Sequence, residues 1–324
     1  MPRRIGRFPF LVTGSVVVLW IGLVYHATRR APVQLQVPQV QSASSTAADM
    51  STAKVDGPPV GKPLLAQIRA SIGSAAPDKR SLRAQAPVLW APAEGAHAAI
   101  VAALGGRYGT YDPSLDAWCT PPDSGDDRWW CTAVMDITFV RSQPGRAAMV
   151  TLVTVGVTVE GELVGCHACG AALRLAVAVP TRSSGWRIDA VSDEVNGGEF
   201  GTPGDVRVVQ LGPTVVGWAI EERAGGMGAF HTSLRLYAQR RTKVVSVLEA
   251  DTGSDDIAAV TEEGNGSRFT TAVTQDLGPS DSGFYGLHAV QSQQEIKRGQ
   301  WQRVEKGSYD MAFDRATYRY VDSE

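Results

Sequence analysis

The chain of 324 residues predicts a mostly β protein. Its antiparallel sheets would form a sandwich or partial propeller-like hairpin repeats, preceded by one or two short helices and an N-terminal transmembrane helix. Three observations lead there. From Cys131 onward apolar residues recur with a period of two, as on one face of a strand. Turns containing Gly or Asp separate these runs, and no helix-length periodic segment intervenes, which disfavours a doubly wound α/β sheet. Upstream, an uncharged run from Phe8 to Tyr25 lies between Arg3, Arg4 and Arg7 on one side and Arg29 and Arg30 on the other.

The N-terminal run comes first. As a helix its eighteen residues would rise about 27 Å, enough to cross a hydrocarbon core of roughly 30 Å. His26, Ala27 and Thr28 follow it, with no pair of small residues at the spacing a signal peptidase needs, so residues 1–30 read as a retained signal anchor, a cleaved signal peptide being the alternative. Three arginines before the span against two after it, with Trp20 and Tyr25 toward its far end, place the N-terminus inside. This predicts a single-pass protein of a bacterial inner membrane with its C-terminal domain in the periplasm. Residues 31–87, rich in Pro, Ala and Ser, read as a linker. Within it Pro63 opens a short helix over 63–73, with Leu64, Leu65, Ile68 and Ile72 on one stripe and Gly73 closing it.

Residues 88–324 form the expected β-rich extracytoplasmic domain. It begins with a second helix, Ala96 to Leu104, which places Ile100 and Leu104 one turn apart and stops at Gly105 and Gly106. Thereafter Cys131, Ala133, Met135, Ile137 and Phe139 are expected on one strand face, and Val153, Val155, Val157 and Val159 on one face of the next. Similar alternation recurs at Leu173 to Val179, Val215 to Ile220 and Phe230 to Tyr237, and near the end with Tyr318 and Tyr320. Ile188 to Thr202 and Ile257 to Thr271 share eight of fifteen positions, and Trp218 to Thr232 is a looser third copy. Each reads as a hairpin, in which an apolar strand runs into an acidic pair, glycines turn the chain, and Phe-x-Thr starts the return.

Candidate functional residues fall into four groups. Cys119, Cys131, Cys166 and Cys169 are even in number, and outside the cytosol they read as disulfides, with Cys119 to Cys131 and Cys166 to Cys169 the most local of three possible connectivities. Two other chemistries compete for Cys166-His167-Ala168-Cys169. A thiol-redox module needs this motif at a helix N-terminus, yet Gly170 to Pro180 alternates like a strand. Zinc needs a second close cysteine pair, and Cys119 and Cys131 are too far apart in sequence to supply one. Trp129 and Trp130 could line a carbohydrate or peptide groove. The acidic pairs Asp193-Glu194, Glu221-Glu222 and Glu262-Glu263 would sit at equivalent hairpin ends as a carboxylate rim for a hard cation or a basic partner. His231 follows Phe230 beside a glycine-rich turn, with Ser233 on the same face.

The loop from Asp251 through Asp255 and Asp256 resembles the calcium loops of integrin-type β-propeller repeats, with Gly253 standing where a ligand-bearing side chain is expected. The resemblance covers that loop alone. No cofactor is expected, with zinc and calcium the alternatives. With 31 basic against 33 acidic residues and no basic block beyond the N-terminus, nucleic acid is not an expected partner. No G-x-S-x-G elbow, phosphate loop or H-E-x-x-H motif occurs. The expectation is a non-enzymatic, membrane-tethered binding or envelope-assembly protein whose partner is another envelope protein or a glycan. An exported hydrolase and a redox module are the alternatives.

Overall fold

The structure, a computed structural model, describes residues 61–72, 81–122, 127–142, 145–164, 170–183, 185–198, 203–226, 229–255, 266–278, 281–297 and 300–323. The expected membrane anchor, most of the expected linker, Cys166, His167, Cys169 and Glu262-Glu263 lie outside these residues. No helix among the described residues is long and apolar enough to cross a membrane.

Two short helices and sixteen strands make up this part of the chain. Helix α1 is Leu64–Ile72 and helix α2 is Ala96–Leu104, matching the two segments where apolar residues repeat at helical spacing. The Gly105 N–H bonds back to Val101 and Ala102 carbonyls, and Gly106 at φ 77° turns the chain away, so the glycine pair ends α2 as expected. The strands fall into three successive antiparallel meanders.

Sheet I contains β4 (Trp129–Ser142), β5 (Gly145–Val157), β6 (Ala171–Pro180) and β7 (Trp186–Ser192). Two short strands, β2 (Thr110–Asp112) and β3 (Ala117–Thr120), extend it beyond β4. Sheet II contains β9 (Asp205–Gln210), β10 (Val216–Gly226), β11 (Ala229–Arg240) and β12 (Lys243–Asp255). Sheet III contains β13 (Ser267–Asp276), β14 (Gly286–Lys297), β15 (Gln300–Asp314) and β16 (Arg319–Asp322). The last strand of sheet II joins all three into one hydrogen-bonded network: β12 pairs in parallel with β7 at Lys243 and Val244 and antiparallel with β13 at Gly253 to Asp255.

Strand periodicity explains why the sheets stack. In β10, Trp218 and Ile220 join the buried cluster shared with Cys131, Val153, Val155, Leu173 and Leu175 of sheet I. Ala219, between them, belongs to the cluster shared with Val273, Leu287, Met311 and Phe313 of sheet III. Sheet II is therefore the middle layer, apolar on both faces, while α2 covers the other face of sheet I through Ile100 and Leu104 against Val150, Leu152 and Ala176. Trp218 is fully buried, and its indole N–H donates to Thr151 Oγ1 at 3.2 Å across the sheet I–II interface.

Two sequence expectations are corrected. Cys131 and Ala133 do share the inward face, but Ile137 and Phe139 point to the α2 side. A β-bulge between Val134 and Asp136 opposes Met135 to no partner on β5, and one extra residue reverses the face of everything after it. The Ile188 segment is not a hairpin in its described residues: β7 and β8 (Val195–Gly197) follow one another along the same neighbour, β6. The Trp218 copy is a hairpin, with Gly226 opposite Ala229.

The packed region also begins upstream of Val88. Leu64 and Ile68 sit in the sheet I–II core, and the Leu64 N–H donates to the Leu115 carbonyl at 2.8 Å. Residues 81–90 then run as a strap across the edges of all three sheets. Its β1 (Leu82–Arg83) pairs in parallel with β13, the Gln85 carbonyl accepts from the Gln210 N–H of sheet II at 3.0 Å, and the Val88 carbonyl accepts from the Arg141 N–H of sheet I at 2.8 Å. An extended polypeptide with no helical periodicity supplies the edge hydrogen bonds that such a stack otherwise leaves open.

Candidate functional site

Cys119 on β3 and Cys131 on β4 are direct register partners, Cα atoms 4.1 Å apart, and form a disulfide. Antiparallel pairing brings them face to face, so the bridge staples β3 to β4 within the sheet I core.

Trp129 and Trp130 part company because neighbouring strand residues face opposite ways. Trp129 is buried in the sheet I–II core, and its indole N–H has no hydrogen-bond partner among the described residues. Trp130 emerges on the other face, 44% exposed, with the Arg128 guanidinium over its ring. Gly156 stands opposite it on β5, where a Cβ would meet the Trp130 ring at 3.9 Å. On the same face, the register row Tyr111, Trp118, Thr132 and Thr154 crosses four strands. Tyr111 is also exposed, lies edge-on to Trp118, and donates its hydroxyl to Asp116 Oδ1 at 2.6 Å, a bond that raises the phenol's pKa by tying up its proton. Trp130 and Tyr111 thus stand as two exposed rings on one sheet face.

Glu221 and Glu222 are neighbours that point to opposite faces of sheet II, and both are taken up inside the fold. Glu221 pairs with Arg207 and accepts from the Ser81 N–H and hydroxyl at 2.6 and 2.7 Å, while Arg207 also donates to the Leu82 carbonyl. This ties the middle sheet to the strap. Glu222 pairs with Arg235, which donates to the Asn196 carbonyl of β8 at 2.9 Å and ties the middle sheet to sheet I. Burial pushes the Glu222 carboxyl up from the usual range, with the Arg235 charge pulling in the opposite direction. Gly197 makes this possible, since a Cβ there would collide with the Glu222 carboxylate. The signal for these locks is present in the sequence as lone arginines inside apolar strands, Asp-Val-Arg207-Val-Val and Ser-Leu-Arg235-Leu-Tyr.

His231 stands near the β10–β11 hairpin end, where Nε2 contacts Asp251 Oδ1 at 2.9 Å with both side chains largely exposed. Ser233 faces Asp251 in register, yet no described hydrogen bond joins it to His231. A similar exposed pair, His288 and Asp310, joins β14 to β15 at 2.6 Å. Of the other acidic pair that is described, Glu194 meets Arg174 at 3.1 Å and the exposed Asp193 lies 4.0 Å from the Lys243 ammonium. The structure therefore does not gather the predicted residues into one site: Trp130 lies on the outer face of sheet I, the glutamates lie between layers, and His231 lies at a hairpin end. No group of three or more His, Cys, Asp or Glu residues is placed to hold a metal ion among the described residues.

Sequence reasoning missed a cleft. It opens along the strap, has a volume of about 310 Å³, and is lined by Gln85, Val88, Arg141, Pro213, Thr214 and Tyr285 among others. Each sheet contributes to its walls, because the strap brings their edges together.

Comparison of the chain with protein-family models, with curated proteins and with solved structures found no match.

Proposed function

We propose that this chain is a non-enzymatic, membrane-tethered binding protein of a bacterial envelope. The run Phe8 to Tyr25 anchors it in the inner membrane, and the stacked sheets, a propeller-like succession of hairpins, stand in the periplasm. The observation that carries the reading is the Cys119–Cys131 disulfide, since such bridges persist in oxidising compartments and are rare in the cytosol. Cys166 and Cys169, outside the described residues, are the expected second staple in the same compartment. The partner is an envelope protein or glycan, and the surface that meets it is the sheet face carrying Trp130 and Tyr111. Exposed aromatic rings flanked by a guanidinium and a carboxylate suit both stacking and hydrogen bonding.

The test is topological. Expressed at full length in a Gram-negative host, the chain should fractionate with the inner membrane and resist alkaline carbonate. It should be digested by added protease only after the outer membrane is permeabilised. A soluble cytosolic distribution, or Cys119 and Cys131 alkylated without prior reduction, would overturn the reading.

A further inference from the structure

Arg141 and Arg146 face each other directly across the β4–β5 hairpin. Directly opposed like charges destabilise an antiparallel pair, so such a pair calls for an explanation. Neither guanidinium meets a carboxylate among the described residues, and the two residues of the turn outside the described set, Gln143 and Pro144, carry no acid. Arg146 lies over the Trp90 ring at 4.9 Å, which fixes one member of the pair. Arg141 is exposed and lines the strap cleft, where none of the lining residues is acidic.

The other cleft walls are donors and small apolar surfaces. Gln85 holds its carbonyl oxygen toward the Tyr285 hydroxyl at 3.4 Å, and its amide nitrogen makes no bond with the described residues. Thr214 supplies a hydroxyl, while Val88, 58% exposed, and Pro213 supply apolar contact. A volume of about 310 Å³ holds a ligand of few heavy atoms, at the small end of ligand sites.

From this juxtaposition we infer that the strap cleft is a binding site for an organic carboxylate with a short apolar body, its oxyanion held by Arg141 at the cleft wall. A guanidinium binds a carboxylate through paired, charge-assisted hydrogen bonds, and an anion beside Arg141 offsets the repulsion from Arg146 across the hairpin. The free C-terminus of a peptide and a small free acid share this chemistry. A peptide would in addition present an amide carbonyl to the Gln85 amide nitrogen. None of the cleft's lining residues is Trp130 or Tyr111, and the assay uses purified protein, so its failure leaves the topological reading untouched.

Full-length protein purified in mild detergent is titrated calorimetrically with N-acetyl-Ala-Ala-Ala as the free acid, with its C-terminal amide, with butyrate and with inorganic phosphate. The free acids should bind and the amide should not. A tighter peptide assigns the peptide C-terminus as the source, and equal binding of butyrate assigns a small acid. R141Q should weaken binding by about tenfold or more, with R319Q, an exposed arginine on β16, as the unaffected control. The melting temperature of R141Q should equal or exceed that of the parent, because the change relieves the like-charge pair. No binding of either acid at about 10 mM, equal binding of the amide, binding of phosphate alone, or parental affinity in R141Q overturns the proposal.

Discussion

Single side chains decide how the layers of this molecule hold together, and Glu222 shows the balance most clearly. Burial raises its pKa, so the folded chain retains the proton to higher pH than the unfolded chain, whose carboxyl titrates near the ordinary value of 4.5. A raised acid pKa means the native state binds more protons, hence stability falls as pH rises. The contribution of this group is therefore fully present below about pH 4 and is lost as pH climbs through the folded value. Denaturant melts between pH 4 and 7 should show this fall in the parent and a smaller one in E222Q. An E222Q slope equal to the parent's would place the titration elsewhere. Arg235 sets the limit on such changes. Its Nε is buried without a hydrogen-bond partner, so R235M should cost less than leaving the arginine unpaired, as E222A would. The two glutamates were read in sequence as one solvated rim, and parity alone shows why that fails. Adjacent strand residues cannot share a face, and sheet II has no solvated face at this point.

Among the elements, the ones legible in sequence are those whose signal is local. Both helices announce themselves through apolar spacing and, for α2, a glycine stop. The Cys119–Cys131 bridge follows from the nearness of the two residues in a compartment inferred from other residues. Its loop, with a sequence separation of 12, is worth about 3 kcal/mol in the chain-entropy model, so reductant or a C119S/C131S double variant should lower the melting temperature by several degrees. By contrast, the bulge at Met135 leaves no composition signal, because Val134, Met135 and Asp136 alternate acceptably until the partner strand is known. The strap is illegible for another reason: its hydrogen-bond partners lie up to 200 residues away, and a two-residue parallel ladder has no periodicity to read. Helix α1 separates a linker from a packed element by measurement. L64A should cost about 2–4 kcal/mol as a buried truncation, whereas a helix idling in a linker would lose almost nothing.

At the scale of the whole molecule, the stack has an unusual dependence on its centre. Sheet II contributes Trp218 and Ile220 to one core and Leu234 and Leu236 to the other, so neither outer sheet has a complete core without it. β12 couples the layers by hydrogen bonds at both its ends, and the strap couples them again along one edge. Removing a side chain from either interface should thus lower one shared transition instead of detaching one layer. In hydrogen exchange, L236A, which faces sheet III, should speed global opening equally for amides of β5 in sheet I and β14 in sheet III. A variant that loosens β14 while β5 keeps parental protection would show that the layers unfold separately. The same architecture predicts slow folding, because the pairings of β1 with β13 and of β12 with β7 join distant parts of the chain and their loop-closure cost precedes any reward. Destabilisation by L236A should then appear chiefly as faster unfolding if sheet III docks late, and as slower refolding if the sheet II–III core belongs to the nucleus. Docking of sheet III onto a preformed I–II pair is the expected order. The outer face of sheet III is largely polar, which leaves the Leu287, Met311 and Phe313 surface with no core until sheet II is in place.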